Sequence, residues 1–115
     1  ARAEEVPLSA EAFDRLTQGT TFDTYSFGSV YGIEQFLPGR RTVWKDAVGC
    51  MKGTWEQVGE MICFTYEDDP KNPDCWTYIE TAEGIAGYFE GDREQEPILL
   101  RPSVSRMDCG EFLGV

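Results

Sequence analysis

Carboxylates are the main chemically reactive side chains of this 115-residue chain, which has 21 Asp and Glu, 10 Lys and Arg, and no His. Without histidine, the Ser–His and Cys–His nucleophilic pairs, the His-containing zinc sites and the usual proton shuttle near pH 7 are excluded. A pair such as Glu34 and Glu56 could act as acid and base if the two side chains met in one cleft. Strand alternation places Glu56 on a solvent-facing side, so we expect structural acids and no enzymatic activity.

A second group of carboxylates lies in one predicted turn, with the sequence Glu67-Asp68-Asp69-Pro70-Lys71-Asn72-Pro73-Asp74. Oxygen ligands of this kind suit Ca²⁺, but their spacing differs from that of an EF-hand loop. Pro, Asn and Asp are also common turn formers, so a solvated turn accounts for the segment. We assign no metal site and no cofactor to the chain.

The four cysteines show no C-x-x-C spacing, which disfavours a zinc site of four thiolates. An even number of cysteines in a short chain favours two disulfides and an oxidising compartment, the periplasm or the outside of the cell; a cytosolic protein with reduced thiols is the alternative. Four cysteines allow three connectivities. If the segments on either side of the acidic turn form a hairpin, Cys63 and Cys75 share one face. This pattern favours Cys63 with Cys75 and, by elimination, Cys50 with Cys109.

The charge of the chain argues against several classes of partner. The net charge is −11, and the longest run of basic residues is Arg40-Arg41. Because a phosphate backbone repels such a chain, we expect no nucleic-acid binding. The longest unbroken apolar run covers only residues 61–64, far short of the roughly 20 residues of a membrane span. We therefore expect no membrane span; the cysteine pattern adds the expectation of a periplasmic or secreted protein.

Aromatic side chains offer the best material for a binding pocket. Those that could line the mouth of a barrel are Tyr31, Phe36, Trp44, Trp55 and Phe64. Arg40 and Arg41 follow a Pro-Gly turn, where a guanidinium could hold a carboxylate or phosphate of a ligand or partner. The same aromatics could equally fill a packed interior, because an eight-stranded barrel is just wide enough for either arrangement.

The elements that must position these residues are one helix and eight strands. Ser9 is a good N-cap, Leu8 and Phe13 form a hydrophobic staple, and Gly19 ends the helix, whose apolar stripe we expect to include Ala12 and Leu16. After Gly19 the period changes to 2, and turn signals recur every 8 to 12 residues. The predicted strands are 20–25, 30–37, 41–45, 50–57, 61–66, 75–80, 84–90 and 97–101.

Short connections between sequence neighbours predict hairpins, and a meander of eight strands can close into a barrel that has no free edge. The predicted fold class is therefore all-β: an eight-stranded antiparallel meander barrel with a short N-terminal helix over one opening and two disulfides. We expect a single domain over residues 1–115, with the helix at about 9–17, strands at about 20–101 and a tail at 102–115.

Several motifs together resemble a family of small exported alphaproteobacterial proteins that has no assigned activity. They are Leu8-Ser9-Ala10-Glu11, the segment 31–44 (YGIEQFLPGRRTVW), Gly53-Thr54-Trp55, the segment 62–68 (ICFTYED) and Cys75-Trp76. The leading helix, the G-x-W strand and the later C-F strand are more loosely similar to lipocalin-like and avidin-like barrels. The resemblance implies export and paired cysteines, and it covers residues 8–90.

Three functions follow as hypotheses. The first is a non-catalytic, lipocalin-like module that binds a small apolar or amphipathic ligand. The alternative is an exported protein-interaction barrel, an inhibitor or an accessory of an envelope complex, that binds a protein partner. The third is a carboxylate-dependent hydrolase, which would need two carboxylates converging in a cleft.

Overall fold

The computed structural model describes residues 6–109, which form one helix and eight strands. These elements are α1 (Ala10–Thr17), β1 (Thr21–Ser26), β2 (Ser29–Leu37), β3 (Arg41–Lys45), β4 (Cys50–Val58), β5 (Met61–Tyr66), β6 (Asp74–Thr81), β7 (Gly84–Phe89) and β8 (Ile98–Pro102). Each predicted strand is present, with boundaries that differ by one residue at most.

The eight strands form a closed barrel in which each strand pairs antiparallel with its neighbours in sequence. The barrel closes where β8 pairs with β1, as in the pair Thr24 and Leu100. The predicted antiparallel meander barrel is therefore confirmed. Because the sheet has no free edge, every strand is paired on both sides.

The helix α1 covers one end of the barrel. Its N-cap is Ser9, whose side chain accepts a hydrogen bond from the amide of Ala12 at 3.2 Å. The amide of Leu8 donates to the carbonyl of Tyr78 at 2.7 Å, and the amide of Ala10 donates to the side chain of Gln57 at 2.7 Å. These hydrogen bonds attach the start of the helix to β6 and β4 and hold the helix over this end of the barrel.

The buried face of α1 differs from the predicted apolar stripe. Phe13 is fully buried, but its partners on that face are Ala10 and Thr17, whereas Leu16 is 37% exposed. Thr17 can be buried because its hydroxyl donates to the carbonyl of Phe13 at 2.8 Å, which satisfies the polar group within the helix itself. The inclusion of Leu16 in the buried stripe was therefore wrong.

Antiparallel order gives the barrel two different ends. At the helix end lie α1 and the connections β2–β3, β4–β5 and β6–β7. At the other end, called the open end below, lie the connections β1–β2, β3–β4, β5–β6 and β7–β8. Residues that face inward near the open end are therefore the ones that a molecule from solvent can reach.

Both predicted disulfides are present, Cys50–Cys109 and Cys63–Cys75. The second joins β5 to β6 at a paired position on the outer face of the barrel. The first ties the tail to the start of β4. Disulfides of this kind are typical of proteins in oxidising, non-cytoplasmic compartments. Within residues 6–109, no helix is long and apolar enough to cross a membrane.

The tail after β8 runs along the outside of the barrel as a strap. The amide of Ser103 donates to the carbonyl of Thr21 at 2.8 Å, and the side chain of Lys45 donates to the carbonyl of Asp108 at 3.0 Å. The tail therefore leads from the start of β1 at the helix end to the end of β3 near the open end.

Candidate ligand cavity

A cavity of about 390 Å³ occupies the half of the barrel nearer the open end. Its floor is formed by Phe36, Phe64 and Tyr78, which contact Phe13 of the helix with ring centroids 5.6, 6.3 and 4.6 Å away. The helix therefore sets the depth of the cavity. Further aliphatic and thioether contacts on its wall come from Met51, Ile98 and Leu100.

Glycines on neighbouring strands make room for the large aromatic rings of the wall. A Cβ atom at Gly53 would overlap the ring of Tyr66, and one at Gly87 would overlap the ring of Tyr78. Both glycines are paired directly with these tyrosines. Each ring can therefore lie close to the backbone of the adjacent strand, which leaves space for the cavity.

Two aromatic residues of the upper wall are held by specific local structure. A Cβ at Gly32 would overlap the ring of Trp44, whose indole Nε1 donates to Asp46 at 2.8 Å. The register between β1 and β2 shifts beside Thr24, which leaves Tyr31 as an extra residue between paired positions. This bulge brings Tyr31 to the cavity, where its ring centroid is 5.5 Å from that of Trp44, because a bulge re-aims the side chain of the unpaired residue.

Glu34 is the one carboxylate in the interior of the barrel among the described residues, and it is only 7% exposed. The hydroxyl of Tyr66 lies 2.8 Å and 3.0 Å from its two oxygens and serves both with a single hydrogen. Burial raises the pKa of Glu34 from 4.5 to about 7, although hydrogen bonds from Tyr66 and Thr42 oppose the change. Since a carboxylate offers about four acceptor positions, part of its acceptor capacity remains for another donor.

The polar groups around Glu34 complete an acidic and partly unsatisfied environment. The hydroxyl of Thr24 lines the cavity, is buried, and has no hydrogen-bond partner among the described residues. Burial also raises the pKa of Tyr66 and Tyr78 well above 10, and Glu34 adds to both effects. Both phenols are therefore neutral hydrogen-bonding groups at physiological pH.

The entrance of the cavity carries negative charge. Besides Glu34, its acidic lining residues are Asp46, Asp68, Asp69 and Asp74, and none of the described lining residues is basic. The pKa of Asp46 is lowered, chiefly by the hydrogen bond from Trp44. The pKa of Asp74 is raised, first by burial and then by Asp69 and Asp68. The entrance therefore favours cations over anions.

The structure separates the predicted ligand-binding residues into two groups. Tyr31, Phe36, Trp44 and Phe64 line the cavity. Trp55 lies below the floor, where it packs against Phe13 with ring centroids 5.2 Å apart.

Neither predicted arginine reaches the cavity. The guanidinium of Arg40 lies over the ring of Trp55, 5.0 Å from its centroid, at the helix end. Arg41 lines a shallow groove on the outside of the barrel. The polar end of the cavity is therefore Glu34 and not an arginine. The reason is topological, because the β2–β3 turn that carries both arginines lies at the end opposite to the entrance.

The predicted acidic groups do not form a catalytic or chelating set in the described part of the chain. Glu34 points into the barrel, whereas Glu56 is exposed on the outer face, beside its paired residue Cys63. Within residues 6–109, no group of three or more His, Cys, Asp or Glu side chains could hold a metal ion. The segment 67–74 supplies rim charges to the cavity instead.

Several lining residues were missed by sequence reasoning, above all Tyr66, Trp76, Tyr78 and Thr24. Alternation along β1, β5 and β6 places them inward, but nothing in their types distinguishes a lined cavity from a filled core. The inward glycines were the available signal. A glycine paired with an aromatic residue on the next strand marks a ring that lies flat on the wall.

No family model matches the chain, and no curated protein or solved structure matches it at a significant level. The chemistry of the cavity is therefore the basis for assigning a function.

Proposed function

We propose that this protein is a non-catalytic binding module of the periplasm or the extracellular space that takes a small amphipathic molecule into the open end of its barrel. The observation that carries the proposal is the cavity of about 390 Å³, lined by aromatic rings and closed at its inner end by the helix. Ligand sites in proteins typically combine a concave apolar surface with a few convergent polar groups, and volumes of about 300–1,000 Å³ are usual.

Two features of the barrel interior, the packing of its tyrosine rings and an unpaired hydroxyl, favour an open cavity that holds a ligand. The rings of Tyr66 and Tyr78 lie against Gly53 and Gly87 of the neighbouring strands, and this close packing leaves space for the cavity. An unpaired buried hydroxyl at Thr24 adds a polar group whose hydrogen bond a ligand can complete. Both features cost stability in an empty barrel and suit one that holds a ligand.

Native mass spectrometry of the protein recovered from its natural compartment tests the proposal. We expect an additional mass of a small molecule that is lost on denaturation. The matched pair of variants is Met51→Trp, which adds a large ring at the cavity wall, and Thr54→Trp, which adds the same ring on the outer face of the same strand. Retention of the small molecule by the Met51 variant, or a bare protein mass in the wild type, would contradict the proposal.

The protein-interaction alternative has one observation in its favour. Phe27 and Val48, at the tips of the β1–β2 and β3–β4 connections, are 81% and 94% exposed. Phe27 also has a φ of 50°, a left-handed conformation that favours glycine or asparagine. An exposed aromatic side chain at such a position contributes little to the fold, so contact with a partner is a reason for its presence. A protein mass in the same native spectrum that disappears on Phe27→Ser would favour this alternative.

A further inference from the structure

We propose that the ligand of this cavity is a small aromatic or alkyl ammonium ion, whose N–H groups bind Glu34 while its apolar part lies between the aromatic rings of the wall. This inference rests on the proposed function and names the class of molecule that the cavity selects. It follows from the acceptors inside, the rings of the wall and the charge at the entrance, and each of these is a separate observation.

Among residues 6–109, the groups that line the cavity include hydrogen-bond acceptors and no cationic side chain. Two hydroxyls act on Glu34, which faces the cavity: that of Tyr66 donates to both carboxylate oxygens, and that of Thr42 also favours the charged form. Thr24 adds a buried hydroxyl that has no hydrogen-bond partner among the described residues. A ligand that carries several N–H donors can bind Glu34 and Thr24 together, whereas a neutral apolar ligand leaves Thr24 unpaired and adds no donor to Glu34 in a desolvated site.

The wall suits a positive charge as well as an apolar body. Tyr31, Trp44 and Trp76 surround the upper part of the cavity, and the faces of such rings attract ammonium ions within about 6 Å. Trp44 is held in place by Asp46 and by close contact with Gly32, so its ring is positioned before any ligand arrives. Such preorganisation reduces the entropic cost of binding.

The entrance selects for the same sign of charge. Asp68, Asp69 and Asp74 lie at the rim, and the whole chain carries a net charge of −11. A cation is drawn toward such an opening, and an anion is repelled from it. Anionic ligands are therefore disfavoured twice, by the rim and by Glu34.

Binding of an ammonium ion must also respond to pH. The titratable groups that act on Glu34 are Tyr31, Tyr66 and Tyr78, whose pKa values are all raised so that they remain neutral, and Asp74, whose pKa is raised by burial and by Asp69 and Asp68. The hydroxyl of Thr42, which also acts on Glu34, does not titrate. Burial raises the pKa of Glu34 itself to about 7. A bound cation stabilises the carboxylate, so below pH 7 protons compete with the ligand. An alkylamine stays protonated throughout this range, as a lysine side chain does.

Two series of probes of matched shape test the inference by calorimetry: tryptamine, indole-3-ethanol and indole-3-acetate, and octylamine, octanol and octanoate. In each series we expect the amine to bind at least tenfold more tightly than the alcohol and the carboxylate to bind most weakly. Hydrogen bonds to charged groups correspond to about 10- to 100-fold in affinity, so Glu34→Gln should weaken the amine by at least about tenfold and leave the alcohol unchanged. Glu56→Gln, on the outer face, is the control and should change neither.

The outcomes separate the two proposals. If no member of either series binds, the cavity is not a ligand site of the proposed kind, and both proposals fail. If the alcohol or the carboxylate binds as tightly as the amine, or if Glu34→Gln leaves amine affinity unchanged, the cavity is a ligand site but the ammonium inference is overturned. A second signature is the pH profile: wild-type amine affinity should fall below pH 7 toward tenfold per pH unit, and the profile of the Glu34→Gln variant should be flat.

Discussion

Replacement of Glu34 by Gln should remove a specific pH dependence from the stability of the empty barrel. The glutamine keeps the shape of the side chain and an oxygen that can accept from Tyr66, which lies 2.8 Å from the present carboxylate. It cannot ionise. The variant therefore isolates the free energy that the folded protein loses when a carboxylate in the barrel interior becomes charged.

The magnitude follows from the pKa of Glu34, which rises from 4.5 to about 7 on folding because burial disfavours the charged form. A group with a raised pKa in the folded state binds its proton more tightly there, so its contribution to stability is full below pH 4.5 and is lost as the pH rises through about 7. Each tenfold difference in proton affinity corresponds to about 1.4 kcal/mol, which gives a loss of about 3 kcal/mol between pH 4.5 and pH 8.

The assay is urea unfolding of the oxidised protein at a series of pH values, followed by tryptophan fluorescence. The free energy of unfolding of the wild type minus that of the Glu34→Gln variant should fall by about 3 kcal/mol from pH 4.5 to pH 8. Any cost of burying the amide is independent of pH and does not affect this slope. The same difference measured with Glu56→Gln should be nearly flat. A flat profile for Glu34→Gln as well would show that Glu34 is not desolvated in the folded protein.

Three other changes test the packing of the cavity wall, the backbone strain of the β1–β2 turn and the contribution of the two disulfides. Gly53→Ala places a methyl group where the ring of Tyr66 lies and should cost about 1–3 kcal/mol by overpacking, measured by urea unfolding; an unchanged midpoint would refute the close contact. Phe27→Asn should stabilise the protein by about 1 kcal/mol, because asparagine tolerates the left-handed conformation at this type I′ position, and a lower melting temperature would refute the strain. Replacing both cysteines of the disulfide with the 59-residue separation by alanine should cost about 4 kcal/mol, against about 3 kcal/mol for the one with the 12-residue separation, since the longer loop restricts the unfolded chain more; equal losses would refute this order.

The fold could be predicted from the sequence because its determinants are local. Period-2 alternation, turn residues at regular intervals and a capped first helix are each read from a few neighbouring residues, and a meander pairs neighbours in sequence. The disulfide between Cys63 and Cys75 followed from the same alternation. The buried face of α1 was harder, because the hydroxyl of Thr17 is satisfied inside its own helix and its polarity therefore gives no warning of burial.

The site was only partly predictable because it depends on which end of the barrel stays open. Aromatic character was sufficient to identify Trp44 and Tyr31 as lining residues. Trp55 is also aromatic, but it packs against Phe13 of the helix instead. The type of a side chain does not show how far along the barrel axis it lies, because that position depends on the register of the strands. The role of Glu34 also depends on register, since its neighbours across the cavity come from β5 and β6.

The closure of the barrel by β8 and β1 has a consequence for the order of events in folding. Seven of the eight ladders in the described chain join strands that follow each other, so they can form as successive hairpins with short loops. The entropic cost of closing a long loop applies to one ladder, that between β1 and β8, in which Thr24 pairs with Leu100. Oxidation of Cys50 and Cys109 tethers the segment after β8 to β4, half-way back along the chain. Once that bond exists, fewer residues separate β8 from β1 along the covalently linked chain, so the timing of disulfide formation governs how quickly the barrel closes.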